Sequence, residues 1–423
     1  MNKSIGEIGQ MSSEKKTLLK NFTAMGIIQI LNYVMPFITL PYLARVLAVD
    51  KFGLIFFAQA VMDYFSRFVD FGYNQSGVRD IAINREDKQR VSEIYTSVLF
   101  ARLLLLFVSF IILSAVVFGF EKFRQDWVIY YFTFLSVLGN VLLSTWFFQG
   151  MEKMKFITYL NILTRVISLI CIFSFVKVQG DYYLVPLFNS LAVLVAGIVS
   201  VILAAVQFKV IIYIPKIKEV FASLKHSSEY FLGNVSIALY QSANAFVLGL
   251  CVSTTMVAYY VSAQKIYLAI YFMYIPFYNA FFPYMSKNKD IKFWKKVFKI
   301  LVIISLGISL FILLFSKPII SIFYGANLIE SYKILKIFAI IVPFHILAGT
   351  MGYPLIGAFG YIKETNSCWV MAGIIHILAL CILYITHQLN IYTVACMYAF
   401  SHIFMFMHRV YYVQKYKLLE QKG

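Results

Sequence analysis

Long windows without Asp, Glu, Lys or Arg recur along this chain, at 21–44, 103–120, 127–151, 182–208, 230–264, 266–286, 300–316, 337–362 and 365–407. A helix of roughly 20 mostly apolar residues crosses a bilayer, so most of these windows read as single crossings. Two are too long for one. The last breaks at His387-Gln388-Leu389-Asn390, and the window at 230–264 breaks near Ser253-Thr254-Thr255, its second part continuing across Lys265. Two further segments are apolar but carry charge: 52–78 holds Asp63, Arg67 and Asp70, and 156–176 holds Arg165. The expected fold is therefore an all-α integral membrane protein of twelve transmembrane helices. At 61% hydrophobic and 13% charged residues, against about 45–50% and about 25% in soluble domains, a water-soluble enzyme is excluded, because no packed core hides that much apolar surface.

The net charge of +18 would suggest nucleic acid in a soluble protein. Here the cations collect between the expected helices, as they do in loops that meet anionic headgroups, and no nucleic-acid partner is expected. With the N-terminus in the cytoplasm, the cytoplasmic segments hold 25 Lys and Arg and the opposite side holds 8. That asymmetry places both termini in the cytoplasm. The first twenty residues are polar, and no small-residue cleavage site follows 21–44, which reads as a retained helix and not a signal peptide. The five cysteines include no C-x-x-C pair, so neither a metal site nor a disulfide framework is indicated. There is no phosphate-binding glycine loop, nucleophile elbow or paired-carboxylate motif, so no catalytic residue and no cofactor is expected.

Phe52-Gly53-Leu54-Ile55-Phe56-Phe57-Ala58-Gln59 can be laid over Val257-Ala258-Tyr259-Tyr260-Val261-Ser262-Ala263-Gln264 at an offset of 205. Each stretch opens the second helix of a six-helix unit. An even number of helices per repeat gives two halves of the same orientation, related by an axis along the membrane normal. The expected organisation is an N-terminal six-helix lobe at 1–208, a cytoplasmic linker at 209–226 and a C-terminal six-helix lobe at 227–423, enclosing a central cavity.

Charges inside a span are costly and face a protein interior or a hydrated cavity. At 100 degrees per residue, Gln59, Asp63, Ser66, Arg67, Asp70 and Asn74 share an arc of about 100 degrees. Arg67 can pair with Asp63 at i−4 and with Asp70 at i+3. Either this stripe is an ion-pair ladder to a neighbouring helix or it lines a hydrated substrate path; the amides that extend it favour the path. Arg165 and Lys265 have no acidic residue within four positions, so each needs an anion from another helix or from a ligand. Arg67, Arg165 and Lys265 outnumber Asp63 and Asp70 and leave the interior net positive. Arg102, at the edge of its apolar window, is expected to snorkel to the interface. Asn234, Gln241 and Asn244 share a face of the seventh helix. His345 and His376 lie within spans and are expected to be packed and hydrogen-bonded rather than titrating. The aromatic run from Tyr271 to Tyr284 suits lipid contact better than sugar stacking.

Several blocks carry a family likeness. Pro41-Tyr42-Leu43-Ala44-Arg45-Val46-Leu47, Phe52-Gly53, Ala58-Gln59, Asp70-Phe71-Gly72 and Arg79-Asp80-Ile81-Ala82 resemble the opening of O-antigen and polysaccharide flippases of the Wzx type. Thr145-Trp146-Phe147-Phe148-Gln149-Gly150-Met151-Glu152-Lys153-Met154 is similar to a second block of that family, and Tyr259-Tyr260, Ala263-Gln264-Lys265-Ile266 and Phe282-Pro283 to a third. Ala48 and Ala258 depart from it, standing where glycine is commoner.

The resemblance implies a member of the multidrug, oligosaccharidyl-lipid and polysaccharide exporter superfamily in a bacterial inner membrane. The implied cargo is an undecaprenyl-diphosphate-linked oligosaccharide, flipped from the cytoplasmic to the periplasmic leaflet by alternating access. Membrane lipid, a coupling proton or sodium ion, and the polymerase and chain-length proteins of the pathway are its expected partners. Arg67, Arg165 and Lys265, with Gln59, Asn74, Gln241 and Asn244, are the candidate substrate contacts, and Asp63 and Asp70 the candidate coupling residues. The competing readings are a cation-coupled multidrug exporter of the same superfamily, which a net positive interior disfavours, and a membrane-embedded glycan polymerase or acyltransferase, which usually displays a catalytic constellation. A channel or scaffold is the third.

Overall fold

The structure, a computed structural model, describes residues 36–420, with side chains at all of them except 36 and 232–241. In chain order the helices are α1 (Pro36–Val46), α2 (Val49–Asp70), α3 (Tyr73–Asn84), α4 (Lys88–Gly119), α5 (Glu121–Arg124), α6 (Trp127–Leu142), α7 (Thr145–Gly150), α8 (Met154–Phe175), α9 (Leu184–Gln207), α10 (Ile217–Cys251), α11 (Thr254–Phe272), α12 (Ile275–Asn288), α13 (Ile291–Tyr324), α14 (Ser331–Met351), α15 (Ile362–Ile385) and α16 (Ile391–Lys415). Among the described residues there is no strand, and 10 helical runs are long and apolar enough to cross a membrane. In lipid every backbone polar group must be satisfied within the chain, which is why apolar windows of this length become helices. Of the two other expected crossings, 21–44 lies largely outside the described residues, and the seventh falls on α10.

Side-chain caps set the breaks between helices. Ser253 accepts from the Met256 amide at 3.3 Å and starts α11. Asn390 accepts from the amides of Tyr392 and Thr393 at 2.9 and 3.1 Å, while Thr393 Oγ1 accepts from the Asn390 amide at 3.0 Å, a reciprocal box that starts α16. Both breaks lie where the sequence placed them. Asp87 and Asp290 cap α4 and α13 in the same way, at 3.0 and 2.9 Å.

The break between α2 and α3 was not expected. Phe71 and Gly72 both take positive φ, 47° and 88°, which ends α2 at Asp70. Only glycine adopts that conformation without strain, and a Cβ on Gly72 would also come 2.8 Å from the Tyr230 Cβ.

The chain falls into two compact units. Of the described residues, one unit holds 36–39, Phe65–Lys177 and Tyr183–Val235, and the other Leu40–Tyr64, Val178–Tyr182 and 236–420. In the first, α6 packs along α9, and α7 lies across α3. The second family block thereby meets the first: Trp146, Phe147 and Phe148 are buried, and Gly150 lies so close to Ile81 that a Cβ there would come 2.7 Å from the Ile81 side chain. In the second unit α14 is enclosed by α11, α13 and α16 and ends in a single wide turn, Gly352–Gly357. The start of α11 crosses α2 at Gly53, where a Cβ would overlap the Thr254 carbonyl and lie 2.9 Å from the Ala258 nitrogen. Gly53 and Ala258 are equivalent positions at the 205-residue offset. The two repeat segments therefore touch at matching residues, both small, as close helix crossings in membranes require.

Candidate functional site

The polar stripe on α2 is interrupted by the break at 71–72. Gln59 and Arg67 are exposed and Asp63 is half-buried, where it accepts a hydrogen bond from Ser242 Oγ of α10 at 2.9 Å. Asn74 is exposed, but it lies in α3 and does not continue the α2 face as a straight helix would have had it.

Asp70, the last residue of α2, is 6% exposed and turns into its unit. Its ion pair is with Arg102 Nη2 at 3.7 Å and not with Arg67, correcting the i+3 pairing expected from spacing. Arg102 is 5% exposed, which corrects the expected snorkelling. Its window began at 103 only because Arg102 itself is charged, whereas α4 begins at Lys88 and holds Arg102 near its middle. The guanidinium donates to the carbonyls of Asn140 at 2.9 Å and Val141 at 3.3 Å. These belong to the last turn of α6, whose carbonyls have no partner within the helix. One buried ion pair thus joins the break after α2 to the end of α6.

Arg165, on α8, and Lys265, on α11, are both partly buried, and the Lys265 ammonium lies 5.8 Å from the Phe56 ring centroid. Gln241, like Asn234, falls among the side chains outside the described residues. Asn244 is fully buried: its amide nitrogen donates to the Tyr260 hydroxyl at 2.7 Å and its Oδ1 accepts from His376 Nε2 at 2.8 Å. In this conformation Asn244 therefore bonds from its own helix to two others.

The second unit holds a polar group that charge-free windows hid. His345 bonds the Tyr267 hydroxyl, stacks on Tyr271 with ring centroids 3.5 Å apart, and lies 4.2 Å from the His402 ring. The Tyr278 hydroxyl donates to the Ile346 carbonyl at 2.8 Å. The inner side of the aromatic run therefore packs inside the unit, while Met273 and Tyr284 stay exposed. Arg409, counted from sequence as a cytoplasmic flank, is 2% exposed. It donates to the Ala348 carbonyl, in the last turn of α14, and lies 5.7 Å from the Trp369 ring centroid. Among the described residues no group of His, Cys, Asp and Glu is arranged to hold a metal ion.

Comparison with known proteins places this arrangement among transporters. A family model described as polysaccharide biosynthesis protein matches residues 18–289. The chain is 28% identical over 375 residues to a "Putative O-antigen transporter" of Escherichia coli (strain K12), covering 87% of this chain and 90% of that protein. A protein of the same name from Shigella dysenteriae is 28% identical over 280 residues, or 66% of this chain and 70% of its own length. Among solved structures, "Lipid II flippase MurJ, inward closed conformation" matches with a TM-score of 0.71 at 16% identity, over 95% of this chain and 89% of that one. An inward-facing multidrug resistance MATE family transporter of the MOP superfamily matches with a TM-score of 0.65 at 15% identity, over 95% and 99%. At such identities these structures establish the fold.

Proposed function

Since the chain belongs to the polysaccharide biosynthesis protein family, we propose that this multi-pass protein of the bacterial inner membrane is a flippase and not an enzyme. Its cargo is an undecaprenyl-diphosphate-linked oligosaccharide, an O-antigen or capsule repeat unit, moved from the cytoplasmic to the periplasmic leaflet. Two six-helix lobes, twelve crossings and cytoplasmic termini belong to the same proposal. The observation that carries it is the excess of cations within the spans. Within the apolar segments read from the sequence, Arg67, Arg102, Arg165 and Lys265 stand against Asp63 and Asp70, and a lipid diphosphate supplies the missing negative charge. Its prenyl tail can stay in lipid while the headgroup crosses. Outward movement of an anion is favoured by an inside-negative potential, at about 2.3 kcal/mol per charge per 100 mV.

In this reading Arg67, Arg165 and Lys265 hold the diphosphate during the cycle, and Gln59, Asn74, Gln241 and Asn244 offer amide contacts. Of the two acids, Asp63 is the better coupling residue. It is half-buried and accepts from the Ser242 hydroxyl, whereas protonation of Asp70 would leave the buried Arg102 uncompensated. Alternating access then needs only that substrate and coupling ion bind the two states unequally. Polymerase and chain-length proteins are candidate partners. The test is surface glycan in a deletion strain carrying Arg165→Gln or Lys265→Gln at wild-type protein levels. Export should fall at least tenfold in each, and unchanged export in both would refute the assignment of the diphosphate to these cations.

A further inference from the structure

Two elbows of the chain are built alike. In the first unit α3 turns into α4, which Asp87 starts by accepting from the Arg90 amide. In the second α12 turns into α13, which Asp290 starts by accepting from the Phe293 amide. Their charges are not alike. Over 79–93 four basic residues stand against four acids, and Arg85 pairs with Glu152 and Arg90 with Glu93, both at 2.8 Å. Over 285–299 six lysines, at 287, 289, 292, 295, 296 and 299, stand against Asp290 alone, whose carboxylate is engaged in the cap. All six lysines are exposed, and none forms an ion pair among the described residues. Lys295 donates to the Leu419 carbonyl at 3.1 Å, and Lys289 lies 5.4 Å from the Phe359 ring centroid; neither partner is an anion.

The face these lysines form is fixed in direction. At 100 degrees per residue Lys292, Lys295, Lys296 and Lys299 share an arc of about 100 degrees, with Ile291, Trp294 and Phe298 on the other side of the helix. Ile291 and Trp294 are buried in a cluster with Met285, Leu355, Val413 and Leu418, and Trp294 Nε1 donates to the Thr350 carbonyl at 3.2 Å. Beside the lysines Tyr284, Phe293 and Ile300 are exposed, the first two with ring centroids 5.2 Å apart. Depth follows from length. The 34 residues of α13 extend about 50 Å, against about 30 Å of hydrocarbon. After Lys299 no charged residue occurs until Lys317, so the hydrocarbon begins within a turn of Lys299 and the lysine face lies in the headgroup layer.

We propose that the α12–α13 elbow is a binding surface for anionic phospholipid headgroups. Depth and composition select this partner: cations at phosphate level with exposed aromatic and aliphatic groups beside them match a molecule charged at its head and apolar below it. The α3–α4 elbow neutralises itself and needs no such partner. This surface is independent of the cargo assigned above.

The test is native mass spectrometry of the purified full chain in detergent with equimolar phosphatidylglycerol and phosphatidylcholine. The wild-type protein should retain phosphatidylglycerol about fivefold over phosphatidylcholine. Lys292→Gln, Lys295→Gln, Lys296→Gln and Lys299→Gln combined should reduce that preference to about twofold or less. Arg85→Gln with Arg90→Gln, which removes charge from the paired elbow, should leave it unchanged. A preference retained in the lysine variant overturns the proposal, and so does an equal fall in the arginine control, because net charge alone would then account for it. Equal retention of both lipids by the wild type overturns it and leaves the face to an acidic protein. Displacement of phosphatidylglycerol by excess glycerol 3-phosphate overturns it in favour of a site for free phosphate. Should the combined variant not fold, Lys296→Gln alone decides: the preference should fall by about a third or more, and an unchanged ratio overturns the proposal.

Discussion

Arg102 in α4 and Arg409 in α16 are both buried guanidiniums that donate to carbonyls in the last turn of a neighbouring helix. Their electrostatic settings differ. Arg102 has Asp70 at 3.7 Å, whereas Arg409 has an aromatic face, Trp369, and histidines nearby. A buried pair loses its balance when either member changes, so the Arg102 region is held in one charge state. Around Arg409 the neighbours are aromatic rings and buried imidazoles. The same helix-ending device is thus set against a carboxylate in one unit and against rings in the other.

The sharpest way to break this contrast is to strip Arg102 of its counter-charge. Asp70→Ala should cost about 3–5 kcal/mol, read as a large fall in the melting temperature of the detergent-purified protein. Asp70→Ala with Arg102→Met should regain part of that loss, though not the caps on Asn140 and Val141. Arg409→Met removes one carbonyl bond and a ring contact but orphans no opposite charge, so the expected loss is smaller, about 2 kcal/mol. Equal losses in the two variants would erase the distinction. The smallest effect on stability belongs to Asp63→Asn, about 0.5 kcal/mol, because Ser242 can still donate to the amide oxygen. Glycan export should nevertheless fall at least tenfold in that variant, and a variant that exports normally would remove Asp63 from coupling.

Much of the helical layout was legible because its signals are local. Ser253 and Asn390 are capping residues beside apolar runs, and both start helices where the sequence places a break. The buried arginines were not legible, and the reason is specific. A window defined by the absence of charge stops at the charge that matters most, which put Arg102 at a helix edge and Arg409 in a tail although each lies well inside its helix. The face shared by Gln59 and Asn74 assumed an unbroken α2, and Phe71 carries no sign that it will take a positive φ. Glycine at 72 was the available hint, already part of the Asp70-Phe71-Gly72 block. The reach of Asn244 to His376, 132 residues away, had no local signal at all, since periodicity assigns faces but does not choose neighbours.

The touching of Gly53 and Ala258 has an evolutionary corollary. Where two helices meet this closely, neither position is free to drift alone, because bulk added at Gly53 collides with the backbone at Thr254 and Ala258. The site would record substitutions in matched pairs, and a side chain as small as valine introduced at position 53 would have to be absorbed by a recoil of the α11 entrance.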